Sequence, residues 1–212
     1  MQLLANTTSP FVRIARIALA EKGLAIEPTL VDPWADDPRL RAANAATRVP
    51  TLLLDDGTAL TESLLIVHWL ELQRPAPDWP SLVGGPDAAR AAGVLARAGI
   101  ALGAIDASVH TIITRKVTAP VLFDETPVGL RRRRSMVEGL QRLDALADRM
   151  APGTPAGTAP TLDAICAVTL FDYQQFRYAD QPWLPATPRL RALAEAWRTR
   201  PSFAATMPFV PA

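Results

Sequence analysis

Two stretches of this chain put hydroxyl and carboxyl side chains where a helix begins, and helix N-termini are where backbone N–H groups are left to meet anions. The first is Thr7-Thr8-Ser9-Pro10. Ser9 and Pro10 read as a helix start, with serine as the N-cap and proline at the first helical position. A hydroxyl beside the positive end of a helix can stabilise an anion, and it is equally suited to capping alone. Thr7 and Thr8 are neighbouring hydroxyls able to supplement or replace it. The second is Thr61-Glu62-Ser63, which opens another helix. Its N–H groups and serine suit a carboxylate and its glutamate suits an ammonium; a capping arrangement is the competing reading. Further on, Asp106, His110, Arg115 and Tyr173 are polar residues inside helical patterns, and a lone histidine there is more often a surface or satisfied core residue. Cys166 stands alone, which rules out an intrachain disulfide or a cysteine-rich metal site and reads as inert core in a reducing compartment.

These residues need elements to hold them. Met1 to Ala5 is a short apolar run that reads as a buried strand. Phe11, Ile14, Ala15 and Ala18 share one helical face up to Gly23, a C′ residue. Glu27 to Val31 suits a second strand, and residues 34–46 a loop with a short helix. Thr51-Leu52-Leu53-Leu54 and Thr58-Ala59-Leu60 flank Asp55-Asp56-Gly57 as a hairpin. A helix follows from Thr61, its apolar face including Leu65, Ile66, Trp69 and Leu70. Residues 75–86 carry Pro75, Pro77, Pro80, Pro86 and Gly84-Gly85, the best domain boundary in the chain. Beyond it the pattern is helical: Ala88 to about Lys116, Val128 to about Met150, a Pro/Gly/Thr loop at 151–160, an apolar helix from Leu162 to Arg177, and Pro188 to Arg200. The tail after it reads as irregular.

Composition excludes several classes. With 22 basic and 21 acidic side chains the net charge is +1, so no global field exists to hold nucleic acid or an anionic membrane. The run Arg131 to Arg134 reads as a solvated helix face. Arg13, Arg16, Glu21 and Lys22 interrupt the N-terminal apolar stretch, which supports neither a signal peptide nor a membrane span.

Three motifs in fixed order carry a resemblance: Thr7-Thr8-Ser9-Pro10-Phe11, then Asn44-Ala45-Ala46-Thr47-Arg48-Val49-Pro50, then Leu60-Thr61-Glu62-Ser63 with Ile66 and Trp69-Leu70. Together, ahead of an all-helical half, they resemble the cytosolic glutathione S-transferases over nearly the whole chain, nearest to a serine-type bacterial branch. The resemblance implies a thioredoxin-like βαβ-ββα domain over residues 1–76 and an all-helical domain over 87–212, that is, α/β followed by all-α. It implies a cytoplasmic homodimer that uses glutathione as co-substrate and no metal, binds neither nucleic acid nor membrane, and serves detoxification.

The resemblance also assigns roles. Ser9 would steady the glutathione thiolate. Val49–Pro50 would be a cis bond that turns the Val49 backbone toward the cysteinyl amides, with an ordinary trans proline as the alternative. Arg48 would meet the glycyl carboxylate, and Ser63 and Glu62 the γ-glutamyl end. Phe11, Asp106, His110 and Tyr173 are candidates for lining the electrophile's side of a cleft between the domains. Some positions depart from the family. Ala45 replaces the proline of a common Asn-Pro, His110 stands where an acid is expected, and in Thr161-Leu162-Asp163 the acid comes one residue early for a capping box. The reaction expected is attack of the thiolate on a small apolar electrophile. The rivals are a glutathione-dependent isomerase, dehalogenase or peroxidase, and a non-catalytic binding protein on the same fold.

Overall fold

The computed structural model describes residues 1–152 and 158–210. Half of the loop expected at 151–160, residues 153–157, and the last two residues of the tail lie outside the described residues. The chain forms two compact units, one of Met1–Gly85 together with the segment from Arg200 onward, the other Pro86–Thr199.

The first unit runs β1 (Gln2–Ala5), α1 (Pro10–Glu21), β2 (Pro28–Leu30), α2 (Pro38–Ala43), β3 (Thr51–Leu53), β4 (Ala59–Thr61) and α3 (Ser63–Gln73). The strands form one sheet in the order β2-β1-β3-β4. β1 pairs parallel with β2, and β3 pairs antiparallel with both β1 and β4. A parallel pair needs a crossover, which α1 supplies, whereas Asp55-Asp56-Gly57 suffices for the antiparallel one. Gly57 sits at φ +86 there, a conformation glycine takes without steric cost. α1 packs on α3, burying Ile14, Ile17, Ile66 and Leu70 completely, each worth about 1.5–3 kcal/mol. Leu40 of α2 packs with Leu4 and Val31.

α3 departs from the face read in the sequence. Leu65 is 57% exposed and Val67 is buried in its place, while Leu64 and Leu72 are also exposed. The helix is apolar nearly all round, so periodicity alone does not select its inner face. At the far ends of α1 and α3 the fully buried Lys22 puts its Nζ 2.7 Å from Glu71 Oε1 and donates to the Arg74 carbonyl at 2.8 Å. Glu71 in turn accepts from the Ser81 hydroxyl and the Leu82 N–H, so one buried ion pair anchors the proline-rich segment after α3.

The helical domain expected over 87–212 is shorter than that. From Arg200 the chain returns to the first unit, where α8 (Pro201–Ala204) packs on α1. The reason is polar and local to that contact: Glu21 accepts two bonds from Arg200 and one from Ser202, and Arg13 Nε donates to Thr206.

The second unit comprises α4 (Ala88–Thr118), α5 (Pro127–Ala145), α6 (Leu162–Tyr178) and α7 (Pro188–Arg198), with 3-10 turns at Phe123–Glu125 and Ala147–Arg149. α4 is long and apolar enough by composition to cross a bilayer, but it packs against α5 and α6, as the core helix of a bundle does. α6 is buried along almost its whole length. The arginine run is not a uniformly solvated face. Arg131 and Arg134 are exposed, whereas Arg133 pairs with Glu125 at 3.3 Å and stacks over Trp183, and Arg132 lies over the Phe123 ring. A run of four spans a full helical turn, so part of it must face inward.

Candidate functional site

Sheet register gathers the three motifs. Leu4, near the end of β1, lies opposite Thr51 at the start of β3, and Thr51 lies opposite Thr61 at the end of β4. The loop after β1, the loop before β3 and the turn from β4 into α3 therefore emerge at the same end of the sheet.

Each loop is held by its own side chains. After β1, the Ser9 N–H donates to Asn6 Oδ1 at 2.8 Å, and Ser9 Oγ accepts from the Val12 N–H at 3.3 Å as the N-cap of α1. The Ser9 hydroxyl proton makes no bond among the described residues, and the side chain is half-buried. It caps the helix and still has a donor to offer. Thr7 and Thr8 are half-buried beside it, and the Thr7 carbonyl accepts from the Phe209 N–H at 3.4 Å.

Before β3, Asn44 organises the turn. Its Nδ2 donates to the Arg48 carbonyl and to Thr51 Oγ1, both at 3.0 Å, and its Oδ1 accepts from the Ala46 N–H at 2.9 Å. The Thr51 hydroxyl donates to the same Arg48 carbonyl at 2.8 Å. Asn44 is 6% exposed and Thr51 fully buried, so these polar groups satisfy one another out of water. The loop they fix carries Thr47 at φ +48 and ends in a cis Val49–Pro50 bond. Arg48 is exposed, with Nη1 3.7 Å from Glu62 Oε1, which links this motif to the next. Asn44 stands within the second motif, but its role is not legible there: a buried asparagine four residues before an arginine carbonyl has no local signature.

At the start of α3, Glu62 takes φ +65 and makes no side-chain cap. A non-glycine residue with positive φ costs about 1–2 kcal/mol, a strain that structures retain mainly at working sites. Ser63 is buried at the first helical position, and the N–H groups of the first turn lack a side-chain cap, the state that favours an incoming anion.

The electrophile candidates separate. Phe11 is half-buried in the first turn of α1. Asp106 and His110 pair with each other one turn apart on α4, with His110 Nδ1 3.0 Å from Asp106 Oδ1. Tyr173 does not face an open surface: it is 5% exposed in a core of Ala107, Met136 and Tyr178, and burial pushes its phenol up from the ordinary value. Arg115 is committed to Asp124 and stacks over Tyr178. Cys166 is fully buried and its thiol is pushed up by that burial, which keeps it protonated and inert. Thr161 makes no cap bond; its hydroxyl donates instead to Asp163 at 2.5 Å. Among the described residues no cluster of His, Cys, Asp and Glu is placed to hold a metal ion.

Comparison with known proteins bears on this arrangement. Residues 8–73 match the family model described as glutathione S-transferase, N-terminal domain. Over 98% of both chains, the protein is 28% identical to the uncharacterized GST-like protein YibF of Escherichia coli K12. It superposes on a glutathione S-transferase from Methylobacterium radiotolerans in complex with glutathione sulfonate, with a TM-score of 0.84, 31% identity and coverage of 100% of this chain and 96% of that one. A glutathione S-transferase from Methylobacillus flagellatus with glutathione bound follows at a TM-score of 0.82, 26% identity, and 98% and 99% coverage. With its small mixed sheet, its helical C-terminal region and this likeness along the full chain, the protein belongs to the glutathione S-transferase superfamily.

Proposed function

We propose that this protein is a glutathione transferase in which Ser9 donates to the glutathione thiolate. The observation that carries the reading is the uncapped N-terminus of α3, with strained Glu62 and buried Ser63, at the same sheet end as the Ser9 hydroxyl. The γ-glutamyl carboxylate would meet the α3 N–H groups and Ser63, and its ammonium Glu62. Val49 would pair with the cysteinyl amides and Arg48 with the glycyl carboxylate. A thiol of pKa near 8.5 is only about 3% ionised at pH 7, so the gain comes from favouring the anion. The positive end of α1 and the Ser9 proton both do so. The thiolate then forms a carbon–sulfur bond while the electrophile's leaving group departs with the electron pair of the bond it breaks. A small hydrophobic electrophile fits the apolar surface of half-buried Phe11 and exposed Phe209 near the Ser9 loop. The exposed Leu64, Leu65 and Leu72 on α3 support a homodimer, since exposed apolar patches mark association surfaces.

The test is the pH titration of thiolate absorbance for bound glutathione in wild type and Ser9→Ala, with calorimetric affinity and a melting curve on both. Losing one bond to a charged acceptor costs about 1.5–3 kcal/mol, so the bound thiol pKa rises by about one to two units while affinity holds. Equal thiol pKa values in the two proteins reassign the donor to Thr7, Thr8 or a backbone N–H. An undepressed thiol in wild type refutes transferase chemistry. Turnover of an aryl halide separates the transferase from isomerase, dehalogenase and peroxidase relatives.

A further inference from the structure

The second unit carries a cavity of about 360 Å³ where the first turns of α4 meet the 3-10 turn at Ala147–Arg149 and the start of α6. Arg90, Arg97, Arg149 and Thr161 ring it over Gly93 and Val94, and among the described residues no acidic side chain lines it. Three guanidiniums converging on one depression repel one another unless an anion sits between them.

The partners of each residue show what remains to bind. Arg97 is 19% exposed and is tied through Nε to Oδ2 of the fully buried Asp163 at 2.6 Å. That bond fixes the guanidinium plane and leaves Nη1 and Nη2. Nη1 lies 3.3 Å from where a Cβ on Gly93 would stand, so the missing side chain at Gly93 makes room for the guanidinium to fold along α4. The Arg90 and Arg149 side chains have no hydrogen-bond or ion-pair partner among the described residues. The Thr161 proton is committed to Asp163, and the Ala89 and Arg90 N–H groups to the Asp87 N-cap. The available donors are therefore guanidinium groups alone, one anchored and two adjustable.

We propose that this cavity is a binding site for a small polyanion, a phosphate- or carboxylate-bearing metabolite with at least two anionic groups. Arg97 provides the fixed fork and Arg90 and Arg149 close on the ligand from either side. Planar forks of this kind recognise phosphate and carboxylate oxygens in pairs. The volume is at the small end of ligand cavities, about 300–1,000 Å³, which fits a compact metabolite rather than a nucleotide. All of its residues lie in the second unit and none belongs to the glutathione motifs, so the site stands or falls independently of the transferase reading.

The test is calorimetric titration of the full chain with pyrophosphate, with citrate and with inorganic phosphate, each repeated in the presence of saturating S-hexylglutathione. The variants are Arg90→Ala/Arg149→Ala, which touches no ion pair of the fold, and Gly93→Ala, whose Cβ would stand 3.3 Å from Arg97 Nη1 and push the fork by a few tenths of an ångström. Saturable binding at one site per chain, unaffected by S-hexylglutathione, is expected for pyrophosphate or citrate. Loss of a charge-assisted contact should weaken it about ten- to hundredfold in the double variant. Preference for pyrophosphate assigns a phosphoryl ligand, and preference for citrate a polycarboxylate. Either upholds the site. No saturable binding at millimolar ligand overturns it, as does binding that survives in both variants or is displaced by S-hexylglutathione.

Discussion

Asn44→Ala is the perturbation that separates the architecture of the glutathione loop from its chemistry. Asn44 touches no part of the proposed ligand, yet its amide makes three bonds, two donated and one accepted. Truncation removes all three. The Arg48 carbonyl keeps the Thr51 hydroxyl, so it is not orphaned, but the Ala46 N–H loses its partner. At about 1 kcal/mol net per bond, the sum is about 2–4 kcal/mol. The cost divides between two readouts. Whatever is lost while the loop stays in place appears as global stability, measured by urea unfolding. Whatever is relieved by letting residues 45–49 move appears as weaker glutathione binding, because Val49 and Arg48 no longer start in position. The expectation is a raised KM for glutathione with kcat little changed, since Ser9 is held separately by Asn6. Asn44→Asp sharpens the test. It keeps the acceptor for Ala46 but turns a carboxylate toward the Arg48 carbonyl and Thr51 Oγ1. Its folded pKa is then raised, so the folded state binds more protons and the variant gains stability as pH falls. A variant Asn44→Ala with wild-type stability and wild-type KM would refute the argument, as would a loss confined to kcat.

Other expectations are more compact. Glu62→Gly should leave stability unchanged or raise it by up to about 1 kcal/mol, because glycine relieves the positive φ at some entropic cost. It should also weaken glutathione binding by about 1.5–3 kcal/mol; thermal melts and calorimetry on one sample reveal whether the signs oppose. Glu71→Ala should destabilise the fold by about 3–5 kcal/mol, because it leaves the fully buried Lys22 ammonium uncompensated, whereas Arg41→Ala, which breaks an exposed pair with Asp36, should change it by less than about 1 kcal/mol. Asp124 is held below the usual carboxylate range, chiefly by its hydrogen bond from Arg115. A lowered folded pKa stabilises the protein above the unfolded value and is lost as pH falls through the folded one. The stability gap between wild type and Asp124→Asn should thus be constant near neutrality and close below about pH 4, as followed by acid titration of urea midpoints.

What was legible in the sequence is what depends on neighbours in the chain. Ser9-Pro10 caps a helix and Asp56-Gly57 turns a hairpin because cap and turn chemistry acts across two or three residues. The proline-rich stretch after residue 74 marked the first unit's end for a similar reason: proline and glycine break elements locally. Tertiary structure decided whatever needed a partner far along the chain. Tyr173 carries a polar tip on an apolar helix, and α4 and α5 cover it, so it joins the core. Leu65 and Val67 have equal claims to the inner face of an apolar helix, and packing on α1 chose Val67. Arg133 left the solvated face for Asp124, Glu125 and Trp183, an attraction no spacing within the arginine run contains. Residues beyond Arg200 read as the end of the helical domain until Glu21, 179 positions earlier, supplied the carboxylate that draws them back. Asn44 is the same case at short range: two of its three partners are backbone groups, identical at every residue, and only the folded path of the loop selects which of them it meets.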